Sequence, residues 1–451
     1  MSASRQSGPL SRRSFWVWVL VYLAVRGALL LAPGYESDLL VYKQWALAGG
    51  LMGYERIYET PGVDYPPASV AAFWLVGKAF VASQPPFEPG VIESHVVPTA
   101  LVKLPHLVFD LLLGALLFRV VARQGTWGPG RGGAGWGRVA AMVYWWNPAV
   151  LFGTAYWGQF DSMHAFFAVA AIAALGGDRL VRSAVLLAIA GLSKPLAAPL
   201  LPLLAAVAGL RRGLRGFLAA GAAGSAVGVI LLAPFWLSGR GQAVIERVWL
   251  DLDAMPFTSV NAHNLWWWLG GWERADTPRL GGFSATEIGV GLFLLVTVWL
   301  LGTKAVWLQR ARGEAYRAGL FLLGAALVSS FFFVWTHMHE NHLFLAVPLL
   351  LAVAGRSPRI AFLAVTASLC VFFNEFAHDP ELPALLGDVL GGPSEVLDPV
   401  FGRPYTSLQA WIAIANPVLA AVVCAGSLLA ARDLALPPAL SEEAGSEEPA
   451  S

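Results

Sequence analysis

Acidic and aromatic residues cluster directly after the first apolar run of this chain. Asp38 precedes Trp45 by seven residues, and the sequence Asp64-Tyr65-Pro66-Pro67 follows. A carboxyl group at the edge of an apolar medium has a raised pKa, because desolvation disfavours its charged form, and it can then accept a proton from a hydroxyl group. We predict that Asp38 is a general base, with the carboxylates of Glu36 and Asp64 as the alternatives for this catalytic role.

Asp38 and Asp64 also have purely structural interpretations. Asp38 fits a residue that solvates the end of the first helix, or one that caps an interfacial helix running through Tyr42 and Trp45. Asp64 fits a turn and a helix N-cap, because the two prolines after Tyr65 favour a first helical turn. Both interpretations stay open at the level of the sequence.

A second polar cluster, His337-Met338-His339-Glu340-Asn341-His342, ends a long apolar run late in the chain. Only His339 and His342 have the spacing of two ligands on one helical face, and an HExxH motif is absent, so we predict no metal site and no cofactor. Imidazole and amide donors suit a phosphate instead, with Glu340 fixing an imidazole tautomer. The cluster therefore predicts an anion site.

Polar residues between other apolar runs complete the predicted site. Lys194, at a Lys-Pro helix break, and Arg247, in a long loop, are predicted to add positive charge to the anion site, although Lys194 also fits a side chain that extends to the membrane surface. Gln159 and Asp161 lie between two apolar runs, where a charge has a function or contacts water, and a helix N-cap is the structural alternative for Asp161. Aromatic rings stack on sugars but are also usual at membrane interfaces. The predicted substrate-binding residues are Trp45, Tyr65, Gln159, Asp161, Lys194, Arg247, His337, His339, Glu340 and His342.

The composition predicts an integral membrane protein. Hydrophobic residues make up 57% of the chain and charged residues only 13%, against about 25% charged in soluble proteins. The formal net charge of +1 argues against a nucleic-acid partner. Cys370 and Cys424 both lie in apolar runs, so neither a disulfide framework nor a Cys-ligated metal is predicted.

The apolar runs predict an all-α polytopic protein, because crossing about 30 Å of hydrocarbon takes roughly 20 helical residues. The predicted spans lie at about 14–33, 99–122, 139–156, 161–177, 216–238, 284–303, 315–336, 359–376 and 406–431. Two short helices around Lys194 and a short span at about 341–355 bring the total to about 12. The run Ala68–Val81 is short and contains Lys78, so we predict a re-entrant or interfacial helix on the outer side.

Basic residues predict the orientation of these spans, because Lys and Arg concentrate in cytoplasmic loops. Arg5, Arg12 and Arg13 precede the first span, and further basic clusters alternate with acidic and aromatic loops, so both termini are predicted in the cytoplasm. The loops of unusual composition all lie on the opposite, outer face: 34–98, 157–161, about 239–283, 337–342 and about 377–405.

One integral membrane domain is predicted over residues 1–435, with the outer loop 34–98 as its catalytic loop. We interpret the first span as a retained signal anchor, because its apolar stretch is long for a cleaved signal peptide. Residues 436–451 carry four glutamates, Glu442, Glu443, Glu447 and Glu448. They are predicted to form a disordered acidic tail in the cytoplasm.

Taken together, these motifs resemble the GT-C superfamily of polytopic glycosyltransferases, and most closely its Alg-type glucosyltransferases. In that group an outer-loop acid precedes a Trp by seven residues, Asp-Tyr-Pro-Pro follows, and a late span ends in His-x-His-Glu. The matching residues, in the same order, are Asp38 with Trp45, Asp64-Tyr65-Pro66-Pro67, and His337-Met338-His339-Glu340. Trp157–Ser162 and Ser193-Lys194-Pro195 also look like recurrent features of bacterial and archaeal members.

The resemblance implies a GT-C-like bundle that uses a polyprenyl-phosphate or dolichyl-phosphate sugar. It implies an inverting, metal-independent transfer of glucose or mannose, in which Asp38 deprotonates the acceptor hydroxyl and the lipid phosphate leaves. The implied partners are that donor, a lipid-linked saccharide or glycan acceptor and membrane lipids, at the extracytoplasmic face of a cell membrane.

Two departures from the family pattern bear on this implication. The family acid usually follows Gly directly, whereas Asp38 follows Tyr35-Glu36-Ser37, which keeps Glu36 as an alternative base. The Lys that often follows His-Glu in the family is Asn341 here, so a phosphate contact at that position does not carry over.

Two other functions have a similar topology. A transporter or lipid flippase also has about 12 spans with broken helices, but it usually has two related halves and polar groups at the midplane, which this sequence does not display. A lipid-linked polysaccharide polymerase or ligase would have a late outer loop rich in Arg and His, whereas residues 377–405 are acidic. The sequence therefore favours the transferase.

Overall fold

Helices form nearly all of the regular structure. The computed structural model describes residues 9–83, 96–250, 255–271, 273–382, 386–397, 402 and 404–435. Within these ranges the α-helices are α1 (Arg12–Leu30), α2 (Glu36–Met52), α3 (Pro67–Ser83), α4 (Val96–Gln124), α5 (Ala134–Trp145), α6 (Asp161–Gly176), α7 (Leu180–Gly191), α8 (Leu201–Leu237), α9 (Gly241–Ile245), α10 (Leu265–Trp268), α11 (Ala285–Thr303), α12 (Ala305–Arg310), α13 (Gly313–Val334), α14 (Ala346–Leu351), α15 (Pro358–His378) and α16 (Ser407–Arg432). Short 3₁₀ or π turns occupy Tyr54–Glu59, Val150–Trp157, Pro195–Leu200, Glu246–Leu250, Ala354–Arg356 and Gly387–Leu390.

Seven helical segments of the described residues are long and apolar enough to cross a membrane. They are Arg12–Leu30, Val96–Gln124, Pro195–Leu237, Ala285–Thr303, Gly313–Val334, Pro358–His378 and Ser407–Arg432. Four further apolar helices are shorter: Pro67–Ala82, Asp161–Gly176, Leu180–Gly191 and Ala346–Arg356. The all-α membrane class predicted from composition is confirmed, whereas the total of about 12 spans stays a prediction.

Two predicted spans differ in detail from the observed helices. The run at 139–156 is divided into α5 and the π turn Val150–Trp157, with Asn147 and Pro148 between them. Proline has no N–H to donate, so it does not continue the helix of α5. The run at 216–238 is the second half of α8, whose backbone leaves the helical region at Gly213 with a φ of 62°, a value that glycine adopts without a steric cost.

One end of the bundle collects the basic helix ends, and we call it the basic end. Arg138 Nε donates to the carbonyl oxygen of Leu10 over 2.8 Å, and Arg317 Nε donates to that of Gln124 over 2.9 Å. These bonds join turns that are far apart in the sequence. At this end the N-terminal segment is thus joined to α5, and the end of α4 to α13.

The core of the described residues has two large parts, besides two small clusters. The larger part surrounds α13. In the most apolar stretch of α13, 83% of the residues are buried, whereas in the most apolar stretch of the Pro195–Leu237 segment only 6% are buried. The second part lies at the opposite end, where α2 and α3 pack on each other through Trp45 and Phe73. The α2–α3 pair is thus an extra layer on the end of the main bundle.

Within the part of the chain that the structure describes, three two-stranded sheets lie at this second end. Strand β1 (Ser259–Val260) pairs in parallel with β4 (Met338–His339), while β2 (Pro278–Leu280) pairs with β3 (Phe283–Ser284) and β5 (Pro393–Leu397) with β6 (Pro404–Thr406), both antiparallel. The β1–β4 pair joins two loops that the sequence analysis had predicted on the same face.

Candidate functional site

A cavity of about 310 Å³ opens at the end of the bundle away from the basic end. It is lined by the start of α2, the Asp64-Tyr65 turn, the Trp157–Gln159 segment, Lys194 and the loop around His339. Residues between Met255 and Asn261, and His378 at the end of α15, complete the lining. Seven separate parts of the chain therefore contribute to one site, and we call it the outer cavity.

Asp38 lines the outer cavity from the first turn of α2. The N-cap of α2 is Tyr35, and no side chain caps this helix, so capping is not the role of Asp38. The Asp38 Oδ2 atom instead accepts a hydrogen bond of 2.5 Å from Gln159 Nε2. The Gln159 Oε1 atom faces the Tyr42 hydroxyl at 3.5 Å, so one amide group orients two residues of α2.

The surroundings of Asp38 raise its pKa to about 7. Burial is the main cause, and the Asp64 and Asp161 carboxylates raise the pKa further, while Lys194 and the Gln159 bond lower it. Because this pKa lies near neutrality, a substantial fraction of Asp38 is ionised at neutral pH and still basic enough to take a proton.

The turn before Gln159 holds that side chain in position. Gly158 has a φ of 96°, and the backbone N–H groups of Gly158 and Gln159 both donate to the carbonyl oxygen of Gly153 over 2.9 Å. A Cβ atom on Gly158 would lie 2.7 Å from Leu39. Glycine is therefore required for both the backbone conformation and the close approach to α2.

Asp161 lies behind the cavity wall and joins two residues that line it. Lys194 Nζ lies 2.7 Å from Asp161 Oδ1, and Asn341 Nδ2 donates to Asp161 Oδ2 over 2.8 Å. Asp161 is fully buried, and the N-cap of α6 is Phe160. The N-cap role of Asp161 is therefore wrong. The membrane-surface role of Lys194 is also wrong, because Lys194 and Asp161 are buried together as an ion pair.

Strand pairing positions the histidine cluster. His339 belongs to β4, and its backbone N–H donates to His342 Nδ1 over 3.1 Å. Burial lowers the pKa of His342 well below its usual value, and His339 and Lys194 lower it further. The neutral ring then carries its proton on Nε2. A backbone amide, and not Glu340 as predicted, therefore fixes this tautomer.

His339 and Glu340, from the same cluster, also have shifted pKa values. Burial, with a contribution from Lys194, lowers the pKa of His339 to about 4. Burial, followed by the charge of Asp38, raises the pKa of Glu340 to about 8. At neutral pH His339 and His342 are therefore neutral, and Glu340 is mostly protonated.

Aromatic rings form the wall beside Asp38. The Trp45 ring centroid lies 5.3 Å from that of Tyr65 and 5.5 Å from that of Tyr42. The Tyr42 and Tyr65 hydroxyls are 2.9 Å apart, and Lys194 Nζ lies 5.7 Å from the Tyr65 ring centroid. The predicted aromatic residues are thus in the cavity, next to the predicted cation.

Four predicted site residues do not line the cavity, and Asp161, behind its wall, is one of them. Glu36 is exposed on α2, and Arg247 lies in the Glu246–Leu250 turn. His337 has a φ of 60°, and its Nδ1 atom lies 3.0 Å from Thr336 Oγ1. Asp64, in contrast, lines the cavity three residues before α3 begins at Pro67.

His378 and Asn261 line the cavity but were not predicted. His378 Nε2 lies 3.1 Å from His263 Nε2, and His378 Nδ1 lies 3.1 Å from the Tyr405 hydroxyl. A polar residue at the end of the apolar run of α15 was the signal for His378. Asn261 lies in a long loop without a motif, so its position depends on the β1–β4 pairing.

Among the described residues, no group of three or more His, Cys, Asp or Glu side chains is arranged to hold a metal ion. A scan against protein-family models gives no match, and a search of the curated proteins finds no significant relative. The geometry of the outer cavity is therefore the basis for inferring a function.

Proposed function

We propose that this protein is a membrane glycosyltransferase of the GT-C type. It transfers glucose or mannose from a polyprenyl-phosphate-linked donor to a lipid-linked or other extracytoplasmic acceptor. The observation that carries the proposal is that Asp38, Lys194 and the His342 ring line one cavity. A base together with a cation and a hydrogen-bond donor suits the transfer of a sugar from a phosphate.

The reaction uses Asp38 in its ionised form. The carboxylate takes the proton of an acceptor hydroxyl, whose oxygen bonds to the anomeric carbon of the sugar. The bond from that carbon to the phosphate oxygen breaks, and the phosphate leaves with the electron pair. Because the acceptor and the phosphate are on opposite sides of the carbon, the configuration inverts.

The leaving phosphate is stabilised by Lys194 and His342, which line the same cavity. Lys194 supplies a positive charge, which the Asp161 ion pair holds in place. His342 supplies an Nε2–H donor, because its Nδ1 atom accepts the His339 amide. Glu340, with its raised pKa, is protonated at neutral pH and so does not repel the anion.

The lipid character of the donor agrees with the position of the cavity. Its mouth lies at the end of a bundle of membrane helices, where a prenyl chain can stay in hydrocarbon while its phosphate and sugar enter a polar site. Trp45 and Tyr65 offer flat apolar faces to a sugar ring.

The distribution of basic residues supports the orientation. Lys and Arg concentrate on the cytoplasmic side of membrane proteins, so the basic end faces the cytoplasm and the outer cavity faces the other side. The break at Gly213 supports two crossings within Pro195–Leu237. With α5 and the π turn after it as one further crossing, and the shorter helices α6, α7 and α14 as three more, the total is about 12.

The proposal is tested by assaying transfer of a radiolabelled sugar from synthetic polyprenyl-phosphate glucose and mannose to a membrane lipid extract. We expect Asp38→Asn to lower the rate by about 100-fold or more, because a general base contributes roughly 10²–10⁴-fold. Glu36→Gln tests the neighbouring acid on the same helix. It is expected to keep at least half of the wild-type rate, since its side chain is outside the cavity.

Three controls sharpen the assay. Size-exclusion chromatography of each variant reports on folding, and a chelator is expected to leave the wild-type rate unchanged. Undiminished transfer by Asp38→Asn would move the base to Asp64 or Glu36. If wild-type protein transfers no sugar from any donor, a transporter or lipid flippase becomes the better interpretation.

A further inference from the structure

A second cavity, of about 490 Å³, lies at the basic end. It is lined by the turn after α6, by α8 around Arg211 and by the start of α13. Helix α6 links the two cavities, because it begins at Asp161 beside the outer cavity and ends at Gly176 in this one. Its 16 residues correspond to about 24 Å, so the two cavities are separate sites.

The lining is strongly cationic. Four guanidinium groups surround the space, with one carboxylate among the described lining residues: Arg211, Arg212, Arg312 and Arg317, with Asp178. Asp178 pairs with Arg212, which leaves an excess of three positive charges. Arginines that only mark a cytoplasmic loop have no reason to converge on one cavity, because like charges repel each other.

Two of the guanidinium groups are held in place by the protein. Arg211 donates through Nε to the carbonyl oxygen of Leu308 over 2.6 Å, donates to that of Ala311, and lies 3.6 Å from the Tyr316 ring centroid. Arg317 Nε donates to the carbonyl oxygen of Gln124. A guanidinium has five N–H donors, and these bonds use one or two of them. The arginines are thus oriented before any ligand binds, which reduces the entropy lost on binding.

Helix α13 points its N-terminus into the same space. This helix has 22 residues and begins at Gly313 in the cavity wall, and its N-cap, Arg312, makes no side-chain capping bond. The acid of its first turn, Glu314, packs against Gly125 and does not line the cavity. The first N–H groups and the positive end of the helix dipole are therefore available to an anion.

We propose that this basic cavity binds the phosphate group of an anionic ligand, either the headgroup of a membrane lipid or a soluble phosphate. Guanidinium forks match the geometry of phosphate oxygens, and the volume is within the range of small-molecule sites. The inference is independent of the transferase proposal, because no residue of the outer cavity takes part.

The test measures binding to purified full-length protein in a neutral detergent. The probes are radiolabelled inorganic phosphate, short-chain phosphatidylglycerol and, as a neutral-headgroup comparison, short-chain phosphatidylcholine. The double variant Arg212→Gln with Arg312→Gln is expected to bind at least tenfold more weakly than wild type. Both side chains are exposed, so the fold does not depend on them. Arg215→Gln, an exposed arginine of α8 outside the lining, is the matched control and is expected to bind as wild type does.

A variant of opposite sign guards against loss of folding. Asp178 has a φ of 60°, a conformation that Asn also tolerates. Asp178→Asn removes the negative charge from the lining and is expected to bind several-fold more tightly than wild type.

The two anionic probes identify the source of the phosphate. Saturable binding of phosphatidylglycerol, with neither phosphatidylcholine nor inorganic phosphate bound, would indicate a lipid headgroup. Binding of inorganic phosphate that phosphatidylglycerol does not displace would indicate a soluble ligand. The proposal is overturned if neither anionic probe binds saturably, or if the double variant binds both as tightly as wild type does.

Discussion

At the scale of single residues, the proposed transfer depends on the protonation of two carboxyl groups in one cavity. Asp38 has a pKa raised to about 7 and Glu340 a pKa raised to about 8. In the proposed reaction Asp38 acts as a base only when it is ionised, whereas Glu340 adds a negative charge beside the donor phosphate only when it is ionised. The two groups therefore set opposite limits on the active pH range, and their apparent values belong to the pair because their charges interact.

This arrangement predicts a bell-shaped pH profile of kcat/KM for sugar transfer. The rate rises as pH increases towards about 7, because Asp38 loses its proton, and falls above about 8, because Glu340 becomes charged. Asp64→Asn is expected to move the rising limb to lower pH, since the Asp64 charge raises the pKa of Asp38. The profile is measured with the radiolabel assay for wild type and for both Asp64→Asn and Glu36→Gln. A rising limb that stays in place in Asp64→Asn, or moves to higher pH, would contradict this account of Asp38.

At the scale of elements, the closest packing near the site is the crossing of α2 and α3. A Cβ atom on Gly77 of α3 would overlap the carbonyl oxygen of Ala46, and one on Gly50 of α2 would lie 2.5 Å from the carbonyl oxygen of Gly77. The two backbones thus touch without side chains between them. This contact holds Trp45 in the aromatic wall, because α2 packs more extensively on α3 than on any other element, and the Trp45 ring lies against Phe73 of α3.

Gly77→Val is therefore expected to separate α2 from α3. Overpacking of this kind costs about 1–3 kcal/mol, so the thermal unfolding temperature in detergent should fall and transfer activity with it. Gly221→Ala is the matched control, because nothing lies within 4 Å of the Cβ position there. Equal unfolding temperatures for the two variants would mean that the helix crossing is not close packed.

At the scale of the whole molecule, the two cavities divide the bundle into a mixed-charge end and a basic end. Helices α6 and α13 run between them in opposite directions, from Asp161 to Gly176 and from Gly313 to Val334. If the bundle spans a membrane in the proposed orientation, the outer cavity and the basic cavity contact different aqueous compartments.

Single-cysteine labelling tests that orientation. Cys370 and Cys424 are buried, so they contribute little background. Glu36→Cys, at the exposed start of α2, is expected to react with a membrane-impermeant maleimide in intact cells. Gln309→Cys, exposed at the basic end, is expected to react only after permeabilisation. The reverse pattern would invert the topology, and reaction of both residues in intact cells would exclude a sealed two-sided arrangement.

The membrane class and the approximate position of the site followed from local patterns. Long apolar runs dictate helices in hydrocarbon because every backbone polar group must be bonded within its own segment. The polar sequences between those runs contain Asp38, Lys194 and the His339–His342 segment, all of which line the outer cavity. Residue type and spacing were sufficient here, since few polar residues interrupt the apolar segments.

Only the tertiary structure decided which of these residues act together. Glu36 and Asp38 are two positions apart on one helix, so they point about 200° away from each other, and contact with Gln159, 121 residues away, selects Asp38 for the cavity. The same packing buries Asp161 beside Lys194. It also brings His378 against His263, in a loop that no sequence motif links to His378. These outcomes depend on how helices and loops pack against each other, and a local sequence pattern contains no record of contacts between distant segments.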